Sequence, residues 1–458
     1  MIKKYFTAWL LITLFTGSLR AQEFSTAANS NTVLSKKQIT AIITTVGEVF
    51  KENYVSEDKA NEVVDYLLEN KKKYFKMTGE ALMKQLENDI QGIINDGHFR
   101  LTYFGVSSNF NWISDSDDKD GNEDLERMKK EQAIMDARAN YGIKELKILE
   151  GNVGYMNLAS FNHSLEEAKP TIAAAFNFLA SADALIIDMR ENGGGQPEYV
   201  NHVMSYFFEK DNVLISSIYV RNSDKLTEYK SLPQSELAAQ KRLNTKLYVL
   251  TSPKSGSGGE AFPYHLQSFE KCTVVGETSL GAANGFTPVL LNLGPEVGHL
   301  VVSVPDMLIT DARTKSNWEK VGVKPDVEID EAQALDEAHK LALSHLSTLV
   351  SETDRTYYDN LIKKIAYKQQ TATTSEINPE YEKYVGTYDI RRILIEDGQL
   401  KFQRGDGPKF ELSPIGEELF ELDIELTPKP NIQFVLENGV VKGLNLIRGE
   451  NVTFSKKE

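Results

Sequence analysis

The chain has 458 residues, 41% hydrophobic and 26% charged, with a formal net charge of −15; this balance fits a globular protein of roughly two to four domains. It contains no basic block, which argues against sequence-wide nucleic-acid binding, because phosphate neutralisation needs clustered lysine and arginine. The single cysteine, Cys272, excludes an intrachain disulfide, and its place in Cys272-Thr273-Val274-Val275 reads as a small buried hydrophobe rather than a nucleophile.

Residues 1–21 have the layout of a secretory signal peptide. Lys3 and Lys4 precede the apolar run Ala8 to Phe15, and small residues lead to Ala21 before Gln22. No cysteine follows for a lipid anchor, and no later stretch reaches membrane-spanning length. The expected location is exported, periplasmic or extracellular. Residues 35–104 read as a helical subdomain. Ile39, Ile42, Ile43, Val46, Val49 and Phe50 recur at helical spacing behind Ser35 as N-cap, and Glu57 to Asn70 and Gly79 to Ile94 repeat the pattern. Gly97 is expected to cap the last helix in the left-handed conformation, leaving His98 in a loop. Residues 105–140 form a charged insert. Ser116 to Gly121 looks like a calcium loop, but Arg127 stands where a bidentate glutamate is required. The expectation is a solvated segment and no metal.

Residues 141–330 alternate strands and helices. A hairpin surrounds Glu150-Gly151-Asn152, Ser164 to Ala180 is a helix, and Ala184 to Met189 is a buried strand. Gly193-Gly194-Gly195 make a turn before the helix Pro197 to Phe208, whose proline sits at the first turn. Val213 to Val220, Leu247 to Leu250, Thr273 to Val275, Val289 to Leu293 and His299 to Val304 complete the strands. Continuous apolar strands alternating with helices predict a largely parallel sheet covered on both faces. Helices follow at 331–370 and a linker at 371–379. At 380–458, short alternating strands and turn signals such as Asp397-Gly398 predict a small antiparallel β domain.

The central stretch is Leu247-Tyr248-Val249-Leu250-Thr251-Ser252-Pro253-Lys254-Ser255-Gly256-Ser257-Gly258-Gly259-Glu260. A strand, a glycine-rich turn and a helix can hold a hydroxyl up where helix N-terminal amides also point. The same pattern suits a serine that only caps the helix, and caps are commoner than nucleophiles. A nucleophile needs a base within reach and oxyanion donors. Of seven histidines, His163, His339 and His345 read as packing or surface residues, His202 lies within a helix and His299 begins a strand. His265 is two helical turns beyond Ser257, and only His98 sits at a helix terminus in a loop. The glycine turns lack the Gly-Lys-Ser/Thr ending of a phosphate loop and the spacing of a dinucleotide fingerprint.

Five segments in order resemble one family. Asp188-Met189-Arg190-Glu191-Asn192-Gly193-Gly194-Gly195 resembles the Asp-Leu-Arg-x-Asn-x-Gly-Gly motif of the C-terminal processing (tail-specific) serine peptidases. Thr251 to Glu260 resembles their nucleophile segment, Gly276 to Gly281 their Gly-Glu-x-Thr/Ser-x-Gly loop, and Glu319 to Asp326 their Glu-x-x-Gly-Val-x-Pro-Asp segment. Asp96-Gly97-His98 is similar to a motif of the branch holding the tricorn core and the interphotoreceptor retinoid-binding protein. Ala282 stands where the lysine of a serine–lysine dyad would be. The resemblance implies an α/β fold with a ClpP/crotonase-like core and mixed sheet and an N-terminal helical subdomain. Separately, Tyr384-Val385-Gly386-Thr387-Tyr388 resembles the start of small lipocalin-like barrels appended to exported hydrolases, which makes the small C-terminal antiparallel β domain lipocalin-like. The family resemblance further implies an exported serine endopeptidase acting on protein or peptide substrates without a cofactor or metal. Ser257 would be the nucleophile, His98 the base and Glu319 its orienting group. The amides of Gly258 and Gly194 would form the oxyanion hole, with Asp188, Arg190, Asn192 and Glu277 in support. The retinoid-binding relatives imply an alternative, a non-catalytic protein binding a hydrophobic ligand or peptide on the same fold. Oligomeric state is left open.

Overall fold

The computed structural model describes residues 3–5, 32–105, 119–294, 296–371, 379–426, 429–449 and 451–458. The expected leader lies outside these residues except Lys3–Tyr5, a short strand paired with Val289 to Leu291. The expected linker also lies outside, apart from Thr371 and Pro379, as do positions 116–118 of the calcium-like loop. The chain divides into two units. One comprises 1–147 and 154–331; the other comprises 148–153 and 332–458.

Three amphipathic helices open the first unit: α1 (Lys36–Asn53), α2 (Glu57–Glu69) and α3 (Gly79–Ile94). Their apolar stripes meet in one cluster containing Ile39, Val46, Phe50, Leu86 and Ile90, and strand residues Val289, Leu291, Leu300, Val302 and Val304 close it. Asn95, rather than Gly97, takes the left-handed cap of α3 (φ 46°, ψ 57°). Asparagine tolerates that conformation because its short polar side chain can bond locally. The insert also differs from expectation. Residues 119–138 form a 20-residue helix, α4 (Lys119–Arg138), whose buried Asp136 meets His163 Nδ1 at 2.9 Å.

Two sheets follow. In the first, Val327–Glu328, Cys272–Gly276, Lys246–Thr251 and Ala184–Asp188 run parallel, continuing to Val153–Leu158 and Ile143–Leu149. It packs against α5 (Leu165–Phe178), α6 (Pro197–Met204) and α7 (Gly258–Ser268) in a core around Leu185, Ile187, Val249, Phe262 and Val274. The second sheet corrects the expectation of a single largely parallel one. Gly285–Asn292, His299–Asp311, Leu214–Val220 and Lys225–Lys230 are antiparallel neighbours, and Arg100–Gly105 pairs with the same long central strand. The turn between the first two strands is too short for the crossover that parallel pairing needs.

In the second unit, α8 (Ala334–Ser347) and α9 (Glu352–Thr371) precede an eight-stranded antiparallel meander from Gly386–Tyr388 to Asn451–Lys456. A bridge between Tyr388 and Lys457 returns the last strand toward the first, making a near-barrel around Tyr384, Tyr388, Phe420 and Phe434. Among the described residues no helix is long and apolar enough to cross a membrane, and no group of three or more His, Cys, Asp or Glu is placed to hold a metal.

Candidate active site

The turn after Lys246–Thr251 carries three serines with different fates. Ser252 and Ser255 are fully buried, and their hydroxyls donate to the carbonyls of Arg190 (2.6 Å) and Met189 (2.9 Å). They tie this turn to the neighbouring turn after Ala184–Asp188. Ser257 alone of the three lines a cavity of about 750 Å³. Its backbone sits at φ 52°, ψ −120°, a region costly for a residue with a Cβ, where occupancy points toward function.

Glycines let the turns approach. A Cβ on Gly259 would lie 2.1 Å from the Asn192 carbonyl oxygen. One on Gly194 (φ +110°) would lie 2.8 Å from both the Gly258 nitrogen and the Ser257 Cβ. Gly258 is the first residue of α7, so its amide has no carbonyl within the helix to reach. Gly194 requires a correction. Its amide donates to Asn192 Oδ1 at 2.8 Å, so it is already engaged. The Gly193–Gly195 turn lines the cavity, and Gly194 allows its close packing rather than supplying a donor.

The other expected supporting residues brace this arrangement from outside the cavity. Asp188 accepts from Arg190 through both carboxylate oxygens and from the Tyr155 hydroxyl, while Arg190 also reaches the Glu331 carbonyl. Asn192 Nδ2 donates to the Leu158 carbonyl. Glu277 accepts from the Glu331 amide.

His98 lines the same cavity as Ser257, with its ring 5.5 Å from that of Phe286. Burial, then the charge of Arg100, pushes its pKa down to about 4 from 6.5, so it is neutral at neutral pH. Its Nδ1 is buried and unpaired. The nearest carboxylate is that of Asp96, with Oδ1 4.0 Å from Nδ1 and accepting the His98 amide at 3.1 Å. Glu319, the orienting group expected from the resemblance, does not line the cavity or bond His98. Its Oε2 accepts from the Ala283 and Asn284 amides (2.8 and 3.1 Å), while Oε1 is buried and unpaired. Burial raises the pKa of both carboxyls, and the Asp96 charge raises Glu319 further.

Two residues were given no role from the sequence. Asp96 opens the Asp96-Gly97-His98 motif, and that resemblance was its signal. Glu260 is fully buried and accepts the Ser257 amide at 2.8 Å; the Ser-x-x-Glu spacing of a capping box was its signal. His265 also lines the cavity, but its Nδ1 is held by Asp311 at 2.7 Å. Burial acts to raise Asp311, yet bonds from His265, the Thr314 amide and Ser268 hold it down at about 2.

Residues 152–329 match the model of peptidase family S41. Over 140 residues the chain is 29% identical to the carboxy-terminal processing protease CtpB of Bacillus subtilis (strain 168), covering 30% of this chain and 27% of that protein. The match therefore spans about a quarter of that relative's length. Among solved structures, the photosystem II D1 C-terminal processing protease aligns with TM-score 0.40 at 15% identity, covering 65% of this chain and 94% of that one. The tricorn protease aligns with TM-score 0.41 at 15% identity, covering 72% and 37%. Residues 152–329 are thus similar to peptidase family S41 and to a carboxy-terminal processing protease.

Proposed function

We propose that this protein is an exported serine endopeptidase that hydrolyses peptide bonds with Ser257 as nucleophile and His98 as base. The observation that carries the reading is the strained backbone of Ser257 at a strand–turn–helix junction, in one cavity with a neutral histidine whose side chain is 12% exposed. Ser257 Oγ attacks the peptide carbonyl, and His98 accepts its proton and returns it to the leaving amine. The Gly258 amide at the start of α7 receives the oxyanion, with the Gly193–Gly195 turn packed against it; loss of one such donor costs about 100- to 1000-fold. Glu319 and Asp96 share the orienting role. His98 Nδ1 and Glu319 Oε1 are each buried without a partner, and catalytic hydrogen bonds often tighten only with substrate bound. Ala282 leaves no lysine for a dyad. Export rests on the charged, apolar and small-residue segments of residues 1–21.

A fluorophosphonate probe and a fluorescent peptide library test this. The wild type is expected to hydrolyse peptides and to gain a covalent adduct at Ser257, with both lost in Ser257→Ala. Absence of both in folded wild type would overturn the peptidase reading in favour of a binding protein.

A further inference from the structure

Glu260 is a carboxylate with no exposure to solvent, placed in the first turn of α7. A buried carboxylate is expensive unless its oxygens are satisfied, and here each oxygen accepts twice. Oε1 takes the Ser279 hydroxyl and the Gly281 amide, both at 2.6 Å; Oε2 takes the Ser257 amide at 2.8 Å and the Ala282 amide at 2.9 Å. Three partners are amides that can only donate. Ser279 Oγ itself accepts from the Val323 amide at 2.7 Å, so its proton is directed to Glu260. Four donors on two oxygens match the ionised carboxylate, because a protonated one would face a donor with its own O–H.

The loop that Glu260 grips is shared with the base. Gly281 and Ala282 donate to Glu260, and the next two amides, Ala283 and Asn284, donate to Glu319. Asn284 Nδ2 reaches Asp96 Oδ2 at 3.3 Å, and a Cβ on Gly97 would touch that of Ala282 at 3.4 Å. Four consecutive amides of one loop thus join the nucleophile's helix to the segment carrying His98.

We propose that Glu260 is a positioning residue, which fixes Ser257 in its positive-φ conformation and registers it against the loop that seats His98. The inference rests on the peptidase reading above. Glu260 does not line the cavity, so its effect falls on turnover rather than on binding. A displacement near 1 Å at reacting atoms costs on the order of 100-fold.

The test compares wild type, Glu260→Gln and Ser279→Ala in peptide hydrolysis and in the rate of fluorophosphonate labelling, with folding followed by circular dichroism. Glutamine keeps the shape but turns one oxygen into a donor. The expected result is a kcat about 100-fold lower in folded Glu260→Gln, with KM within twofold and labelling slowed in parallel. Ser279→Ala, which removes one donor, is expected to lower kcat several-fold at unchanged KM, and it decides the matter if Glu260→Gln does not fold. Turnover and labelling within twofold of an active wild type, in every variant that folds, would overturn the role of Glu260 alone. A folded wild type that neither turns over nor labels would overturn the peptidase reading and this inference with it.

Discussion

Ser35 and Ser257 both stand at helix N-termini three residues before a Gln or Glu, yet the fold uses them in opposite ways. Ser35 is extended (φ −69°, ψ 159°); its hydroxyl accepts the Gln38 amide at 3.3 Å, while Gln38 Oε1 accepts the Ser35 amide at 2.8 Å. Ser257 also has its amide accepted by the carboxylate three residues on, at 2.8 Å, but it sits at positive φ and lines a cavity with His98. The difference comes from the surroundings. Gly256, Gly258 and Gly259 flank Ser257 and allow the Asn192 turn to close in, whereas Lys36 and Lys37 flank Ser35 at the surface. On the proposed function, what turns a capping pattern into a reactive site here is the second turn packed against it.

The comparison can be broken in three places. The largest effect is expected at His98. His98→Ala should lower kcat by about 100- to 10,000-fold, measured by peptide hydrolysis. In wild type, kcat/KM should hold its value below pH 6.5 and fall only as pH drops through about 4, since the base must be neutral and burial depresses its pKa. The linked effect on stability has a definite sign. The unfolded chain binds this proton below pH 6.5 and the folded chain only near 4, so stability declines as pH falls across that window. An acid limb at the ordinary histidine value would show that the buried geometry does not persist in solution.

Gly194→Ala comes next. Its new methyl would lie 2.8 Å from the Gly258 nitrogen at a φ of +110°, so the turn must shift, and a loss of kcat of about 100-fold is expected in a still-folded protein. The smallest effect is at Ser35→Ala. Losing that cap should cost about 1 kcal/mol in urea unfolding, with hydrolysis unchanged. A drop in turnover there would mean the two serines are less separate than their geometry indicates.

The sequence made some elements plain and others not. Ala184 to Ile187 and Leu247 to Leu250 were readable as parallel strands because both faces are covered and the runs are wholly apolar. Lys225–Lys230 was not, since it is a largely exposed edge strand made by pairing with Leu214–Val220. The strand from His299 runs past the expected stop at Pro305 to Asp311; Pro305 lies opposite an irregularity at Gly285 and Phe286, where a missing donor is tolerated. The charged helix α4 has no apolar stripe to betray it. At the site, Ser257 and His98 were legible from turn chemistry and motif resemblance. The engagement of Gly194 and the part played by Glu260 were not, because each depends on which amide the folded chain turns toward which side chain.

The apolar cluster beneath α1–α3 includes Val289, Leu291, Leu300, Val302 and Val304, all later in the chain than Ser257. During synthesis the layer carrying His98 therefore lacks its floor until well after the nucleophile's turn has emerged. On the proposed function, a growing or truncated chain that already displays Ser257 would have no seated base, and order along the polypeptide would delay assembly of the centre until both layers of the first unit condense.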